Sequence, residues 1–221
     1  MKKNIIVLFD LDGLMIDSER LYLDIMINFN KLKGYPITKD FYIKNCLGKD
    51  RVQITNELKK IWDNNINFDE YWNELLCYRE AFLVKVKIKQ KKGLSKLLNY
   101  FKQQGVRIGI VSSSSIKMIN YLLKKTKINI NDFDKIFSKE SVENVKPYPD
   151  LYLLAKKYFN VCSENVYAIE DSDVGIKAAY AAGLKAILVP DLMLNYDEIK
   201  EKIYLKFDSL DDVLSYFKNN F

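Results

Sequence analysis

An apolar run at residues 5–9 leads directly into an Asp-Leu-Asp-Gly turn that contains Asp10 and Asp12. A short, continuous apolar run that ends at a turn is typical of a strand buried on both faces, as strands are in a parallel sheet. Carboxyl groups at the end of such a strand are costly unless a cation or a reaction requires them. The start of the chain therefore predicts a covered parallel sheet with a functional site at the end of its first strand.

After about residue 90, short apolar segments alternate with amphipathic helical segments. Strands are predicted over residues 106–111, 135–137, 166–169 and 186–189, and a final helix is predicted from about Ser209. Strands that alternate with helices are typical of a parallel sheet with helices on both faces. We therefore predict an α/β fold with a doubly wound, Rossmann-like core.

The segment between residues 18 and 86 shows helical periodicity alone. Ser18 is positioned to cap a first helix, and further helices are expected after Thr38, Asp50 and Phe68. A helical block placed directly after the first strand indicates an insertion into the α/β core. We predict an α-helical cap domain over residues 16–88 and a core domain formed by residues 1–15 and 89–221.

The chain contains no histidine among its 221 residues. This excludes Ser-His-Asp and Cys-His nucleophile systems, histidine-ligated zinc sites and proton transfer by imidazole. Carboxylates, lysines and hydroxyl groups must therefore carry any catalysis.

The formal net charge of +6 comes from lysines that are spread along the whole chain, which indicates a general lysine bias more than a nucleic-acid surface. The three cysteines lack the spacing of metal or redox motifs, and the apolar run near the start is too short for a membrane span. We therefore expect a soluble, cytoplasmic monomer with no nucleic-acid or membrane partner.

Three further groups of polar residues follow predicted strands, at the sheet edge where open α/β folds bind ligands. A serine run begins at Ser112, where hydroxyl and backbone N–H groups suit a phosphate, although serines also cap helices. Lys146 lies between predicted strands, in Lys-Pro-Tyr-Pro-Asp, and supplies a compact positive charge. Glu170 and Asp171 add two acids. They either lie near a helix N-terminus because its dipole favours negative charge, or they join the first acidic pair around a hard cation such as Mg²⁺.

The ordered series Asp-Leu-Asp-Gly, serine after a strand, Lys-Pro-Tyr-Pro-Asp and Glu-Asp-Ser resembles the haloacid dehalogenase superfamily. The similarity is to its branch of Mg²⁺-dependent sugar and nucleotide phosphatases and β-phosphoglucomutase-like enzymes, which carry a helical cap after the first motif. The match covers the whole chain in order. It implies a phosphatase that hydrolyses a small phosphate monoester, either a sugar phosphate or a nucleotide, through an aspartyl-phosphate intermediate.

The resemblance also implies roles for individual residues. Asp10 is expected to be the nucleophile and Asp12 the general acid and base. Substrate contacts in the core are expected from Gly13, Ser112, Ser113 and Lys146. The Mg²⁺ ligands are expected to be Asp10, Asp12, Glu170 and Asp171.

The cap is expected to select the leaving group, with Lys49 and Arg51 in a predicted cap loop as candidates for substrate contact. Three alternatives stay open. A β-phosphoglucomutase-like phosphomutase would share the core motifs, but Tyr22 stands near the position of that enzyme's cap histidine. A phosphonate-cleaving enzyme would need a cap lysine such as Lys49 to form a Schiff base. A nucleic-acid or interaction module on an inactive fold is the non-enzymatic alternative.

Overall fold

The computed structural model describes residues 5–62, 66–192 and 195–220. The chain divides into two compact units. The first consists of Met1–Asp17 and Lys89–Phe221, and the second of Ser18–Ile88. The boundaries of these units fall between residues 17 and 18 and between residues 88 and 89. The assignment of residues 16–88 as a cap domain and of residues 1–15 and 89–221 as a core domain stays a prediction.

The first unit is built on a parallel sheet with the strand order β3-β2-β1-β4-β5-β6. Its strands are β1 (Ile6–Phe9), β2 (Arg107–Val111), β3 (Lys135–Phe137), β4 (Val166–Glu170), β5 (Lys185–Leu188) and β6 (Leu205–Lys206). The five predicted strands are confirmed to within about one residue at each end. The sequence prediction missed β6, which is only two residues long.

The second unit consists of helices, and the sheet of the first unit is flanked by other helices that belong to that same unit. They are α1 (Glu19–Leu32), α2 (Lys39–Asn45), α3 (Arg51–Leu58), α4 (Phe68–Lys85), α5 (Leu94–Gln104), α6 (Ile116–Thr126), α7 (Asp150–Phe159), α8 (Asp173–Ala181), α9 (Tyr196–Ile199) and α10 (Leu210–Asn220). Single 3₁₀ turns occur at Ile130–Asp132, Lys139–Ser141, Ser163–Asn165 and Lys200–Lys202. Within the described ranges, none of the helices has both the length and the apolar character needed to cross a bilayer.

The side chains of β1 alternate between two packed faces, as the period of a strand requires. Ile6 and Leu8 belong to a buried cluster that includes residues of α7 and α8. Phe9 contacts Phe101 of α5, whose ring packs perpendicular to that of Phe217 of α10 with 4.9 Å between the centroids. Helices therefore cover both faces of the sheet, which confirms the predicted doubly wound α/β class.

The helical unit begins its helices largely where the sequence predicted. The side chains of Thr38 and Asp50 cap α2 and α3 by accepting backbone N–H bonds. Two details differ: Asn67 caps α4, and Ser18 lies at the start of α1 without making a capping hydrogen bond. Inside this unit the buried hydroxyl of Tyr71 donates to the side-chain oxygen of a buried asparagine, 3.1 Å away.

The register of the sheet brings three strand ends to one edge. Phe9 of β1 pairs with Ile110 of β2 on one side and with Ile169 of β4 on the other. Because these strands are parallel and in step, the residues that follow them emerge side by side. Asp10 and Glu170 therefore lie next to one another although they are far apart in sequence.

Candidate active site

Asp10 follows β1 directly and is held in place by the neighbouring strand. Its backbone N–H donates to the carbonyl of Ile169, 3.0 Å away, and the residue is only 7% exposed. Burial raises the pKa of Asp10 to about 8; the adjacent Lys146 ammonium opposes this rise, and the negative charges of Glu170 and Asp12 add to it. The carboxyl group is thus buried in a strongly charged environment.

Lys146 links the ends of three strand segments. Its ammonium donates to Oδ1 of Asp10 at 2.6 Å, to Oε1 of Glu170 at 2.6 Å and to the carbonyl of Val111 at 2.8 Å. Burial alone would lower the pKa of Lys146, but the two carboxylates outweigh it and leave that pKa above its ordinary value. An ammonium has three protons to donate, so these contacts account for all of them. The phosphate contact expected of Lys146 stays a prediction.

Three carboxylates form a cluster at this edge of the sheet. Asp10, Glu170 and Asp171 each place one carboxylate oxygen within 4.8 Å of the others, and all three residues are buried. Glu170 is fully buried, and its Oε2 accepts no hydrogen bond from any residue that the structure describes. Buried acids with an unsatisfied oxygen are costly on their own, whereas oxygen ligands of this kind suit a hard divalent cation. The cluster therefore fits the expected Mg²⁺ site.

The close packing around Glu170 depends on Gly175 in the first turn of α8. A Cβ atom added at Gly175 would overlap the Glu170 carboxyl group. The α8 N-terminus is fixed by Ser172, whose hydroxyl accepts the N–H of Gly175 at 3.2 Å. Glycine is therefore required here for close approach, with the carboxylate packed against the helix backbone.

Asp12 lies outside the three-carboxylate cluster and contacts the serine run instead. The Ser114 hydroxyl donates to Oδ2 of Asp12 at 2.7 Å. Ser112 is buried, and its hydroxyl oxygen accepts the backbone N–H of Ser114 at 3.0 Å. Ser113 is exposed. The roles of Asp12 in metal binding and of Ser112 and Ser113 in substrate binding stay predictions.

Gly13 forms the turn after the two aspartates. Its φ of 86° lies in the left-handed region that favours glycine, and its N–H donates to the carbonyl of Ile16 at 2.9 Å. The turn geometry explains this glycine without reference to substrate. Its expected contact with substrate is a prediction that this geometry leaves open.

Lys49 and Arg51 lie in the helical unit, where each pairs with an acid of the same unit. The Lys49 ammonium lies 3.4 Å from Glu57, and the Arg51 guanidinium lies 2.8 Å from Asp69. Arg51 also lies over the ring of Trp72, 5.5 Å from its centroid. Their expected contact with substrate stays a prediction.

The sequence interpretation missed Tyr152, whose hydroxyl forms a very short hydrogen bond to Oε1 of Glu170. It also placed Ser114 in a phosphate-binding run without giving it Asp12 as a partner. Nothing in the sequence distinguishes Tyr152 from the other tyrosines, of which the chain has 15 in all. Tyr152 lies six residues after Lys146, in a helix that packs on the sheet. Its position points to the site only when that packing is known.

Comparison with known proteins agrees with the resemblance noted from the motifs. The model of the haloacid dehalogenase-like hydrolase family matches residues 7–189. Hexitol phosphatase B of Escherichia coli (strain K12) is 30% identical over 191 residues, which cover 83% of this chain and 82% of that protein. The phosphorylated carbohydrates phosphatase of Thermotoga maritima is 27% identical over 183 residues, which cover 82% of each.

Among solved structures, CbbY from Rhodobacter sphaeroides in complex with phosphate superposes with a TM-score of 0.79 at 21% identity. The superposition covers 94% of this chain and 95% of that one. At this identity the likeness concerns the fold alone, and it agrees with the parallel sheet and inserted helices described above. The family match over residues 7–189, with the 30% identity to hexitol phosphatase B, establishes that this protein belongs to the haloacid dehalogenase-like hydrolase family.

Proposed function

We propose that this protein is a Mg²⁺-dependent phosphatase that hydrolyses a small phosphate monoester through an aspartyl-phosphate on Asp10. The observation that carries the proposal is the buried cluster of Asp10, Glu170 and Asp171 with Lys146 at the carboxyl edge of the sheet. The relatives named for hexitol phosphate and phosphorylated carbohydrate hydrolysis favour a sugar phosphate over a nucleotide as substrate.

Asp10, Asp171 and Glu170 are the residues proposed to hold the cation, with Asp12 as a further candidate. The fit rests on the three clustered carboxylates, on the Lys146 ammonium beside two of them and on the unsatisfied Oε2 of Glu170. When bound, Mg²⁺ supplies positive charge that offsets the repulsion between these carboxylates and a phosphate dianion.

In the proposed reaction, a carboxylate oxygen of Asp10 attacks phosphorus while the bond from phosphorus to the ester oxygen breaks. The leaving oxygen takes a proton from the Asp12 carboxyl group. In the second step Asp12 removes a proton from a water molecule, which attacks phosphorus and releases inorganic phosphate with Asp10 restored. The hydrogen bond from Ser114 fixes the orientation of the Asp12 carboxyl group for both transfers.

Lys146 supports the nucleophile in this scheme. Burial disfavours the ionised form of Asp10, and the adjacent ammonium favours it. The ammonium also keeps Asp10 next to Glu170, since both carboxylates accept its protons. We infer that Lys146 orients Asp10 for attack and limits the repulsion between neighbouring acids.

The cap residues Lys49 and Arg51 remain our candidates for contact with the leaving group. Both would have to exchange their present acidic partners for substrate. Steady-state kinetics of Arg51→Ala across several phosphate esters tests this role. A rise in KM for some esters supports it, and unchanged kinetics for all of them contradicts it.

The experiment that tests the proposed function is hydrolysis of a panel of sugar phosphates and nucleotides by the purified chain, with Mg²⁺ or with EDTA. Asp10→Asn removes the nucleophile and keeps the side-chain shape, and Asp208→Asn, at an exposed position, is the matched control. We expect metal-dependent phosphate release that is lost in Asp10→Asn and kept in the control. Turnover by Asp10→Asn at the wild-type rate would contradict the proposal.

A further inference from the structure

Tyr152 is a fully buried residue of α7 that contacts two residues of the candidate active site. Its hydroxyl donates to Oε1 of Glu170, and the Lys146 ammonium lies 5.2 Å from the centroid of its ring. The phenol group is a hydrogen-bond donor to this carboxylate, and the carboxylate oxygen can only accept.

The two oxygens of the Glu170 carboxylate have different surroundings. Oε1 accepts hydrogen bonds from both Tyr152 and Lys146, whereas the buried Oε2 accepts none within the described part of the chain. An oxygen left in this state costs free energy unless a further partner binds it. Since Glu170 belongs to the cluster with Asp10 and Asp171, a cation bound directly or through water is the partner that fits.

Close packing restricts the orientation of the Glu170 carboxylate. The backbone of α8 at Gly175 lies so close that a single added carbon would overlap the carboxyl group. Lys146 gives Glu170 one hydrogen bond, because the same ammonium also donates to Asp10 and to the carbonyl of Val111. The Tyr152 hydroxyl supplies a second hydrogen bond to Oε1 of Glu170, so both side-chain donors bind the same carboxylate oxygen.

We propose that Tyr152 is a positioning residue of the metal site, whose hydrogen bond to Oε1 of Glu170 fixes the orientation of that carboxylate for the cation. This inference rests on the proposed function and concerns a residue that acts through a ligand. Removing a group that orients a metal ligand typically weakens metal affinity by about 10–100-fold. Tyr152→Phe removes only the hydroxyl, so we expect a loss within that range.

The test is direct titration of the full chain with Mn²⁺, in the absence of substrate, with the free ion followed by electron paramagnetic resonance. Tyr158→Phe is the matched control, because Tyr158 lies on the same helix and is 47% exposed. We expect weaker Mn²⁺ binding by Tyr152→Phe and unchanged binding by Tyr158→Phe. Equal dissociation constants for wild type and Tyr152→Phe would overturn the inference. A wild-type chain that binds no Mn²⁺ would instead overturn the proposed metal-dependent function itself.

A second comparison separates positioning from general damage to the fold. Glu170→Gln removes the carboxylate through which Tyr152 is proposed to act. In that background we expect Tyr152→Phe to weaken Mn²⁺ binding by less than about twofold, since coupled residues are not additive. A loss as large as in the wild-type background would overturn the inference. The melting temperature of each variant is measured without metal, and every titration is run at a temperature at which that variant is folded.

Discussion

Replacing Gly175 by alanine tests the close approach between α8 and the Glu170 carboxylate. Gly175 is the third residue of α8, and its φ is not in the left-handed region, so its backbone accommodates alanine. Helix propensity alone would favour the alanine by up to about 1 kcal/mol. The added Cβ, however, would overlap the carboxyl group of Glu170.

The overlap between the added Cβ and the Glu170 carboxyl group should cost more free energy than the helix propensity of alanine contributes. Overpacking in a well-packed region costs about 1–3 kcal/mol, so Gly175→Ala should lower the free energy of unfolding by up to about 2 kcal/mol. For a chain of this length that corresponds to a fall in Tm of up to about 4–8 °C. Scanning calorimetry of the metal-free protein in EDTA measures the change.

Glu170→Ala supplies the matched background for this prediction. Glu170→Ala removes the three atoms that lie nearest to the added Cβ, so the helix propensity of alanine should then decide the sign. We therefore expect Gly175→Ala to destabilise the wild type and to stabilise the Glu170→Ala variant. The same sign of Tm shift in both backgrounds would refute the reasoning, because the effect would then not depend on the carboxylate.

Three further predictions concern other residues of the chain. Ser114→Ala removes the hydrogen bond to Asp12 and should lower kcat about tenfold, the effect of losing one hydrogen bond worth about 1.4 kcal/mol. Ser215→Ala, at an exposed position on α10, should leave kcat unchanged. Equal kcat values for Ser114→Ala and wild type would argue against this role. A colorimetric thiol reagent at pH 8 should modify the exposed Cys77 and Cys162 quickly and the buried Cys46 slowly. The reason is that burial raises the pKa of Cys46 to about 11. Equal rates of modification for the three thiols would contradict this. In EDTA, the unfolding free energy of wild type relative to Asp10→Asn should fall as pH rises from about 5 to 8, by at most about 1.4 kcal/mol per pH unit. The reason is that burial raises the pKa of Asp10 from 3.8 to about 8, so the folded state keeps a proton that the unfolded state releases, and that stabilisation is lost as pH rises through this window. A difference that does not change with pH would contradict the raised pKa.

The sheet was predictable because its strands are short apolar runs that end at polar turns. Strand β1, for example, is buried along its whole length, so its residues had to be apolar on both faces. The two-residue β6 carries too few residues for any period to show. Helix starts with a capping side chain, such as Asp50, were visible in the sequence, whereas the start of α1 at Ser18 depends on contacts other than a cap hydrogen bond.

The candidate site was predictable in its residue types and in the strand ends that carry them. Parallel strands deliver their following residues to one edge, so Asp10 and Glu170 were expected to meet. The individual hydrogen bonds were not predictable, since they join residues as distant as Asp10 and Lys146, which are 136 positions apart. The Tyr152 hydroxyl is the clearest case, because only the packing of α7 against the sheet brings it to a carboxylate.

The role of Asp10 as nucleophile is tested by identifying where the phosphoryl group is attached during turnover. The purified chain is mixed rapidly with Mg²⁺ and a sugar phosphate that carries radioactive phosphorus, quenched in acid at a series of times within the first turnover, and digested for peptide mapping. We predict label on the peptide that contains Asp10, and no label in EDTA or in Asp10→Asn. Turnover without label on that peptide, or label that persists in Asp10→Asn, would contradict the claim that Asp10 is the nucleophile.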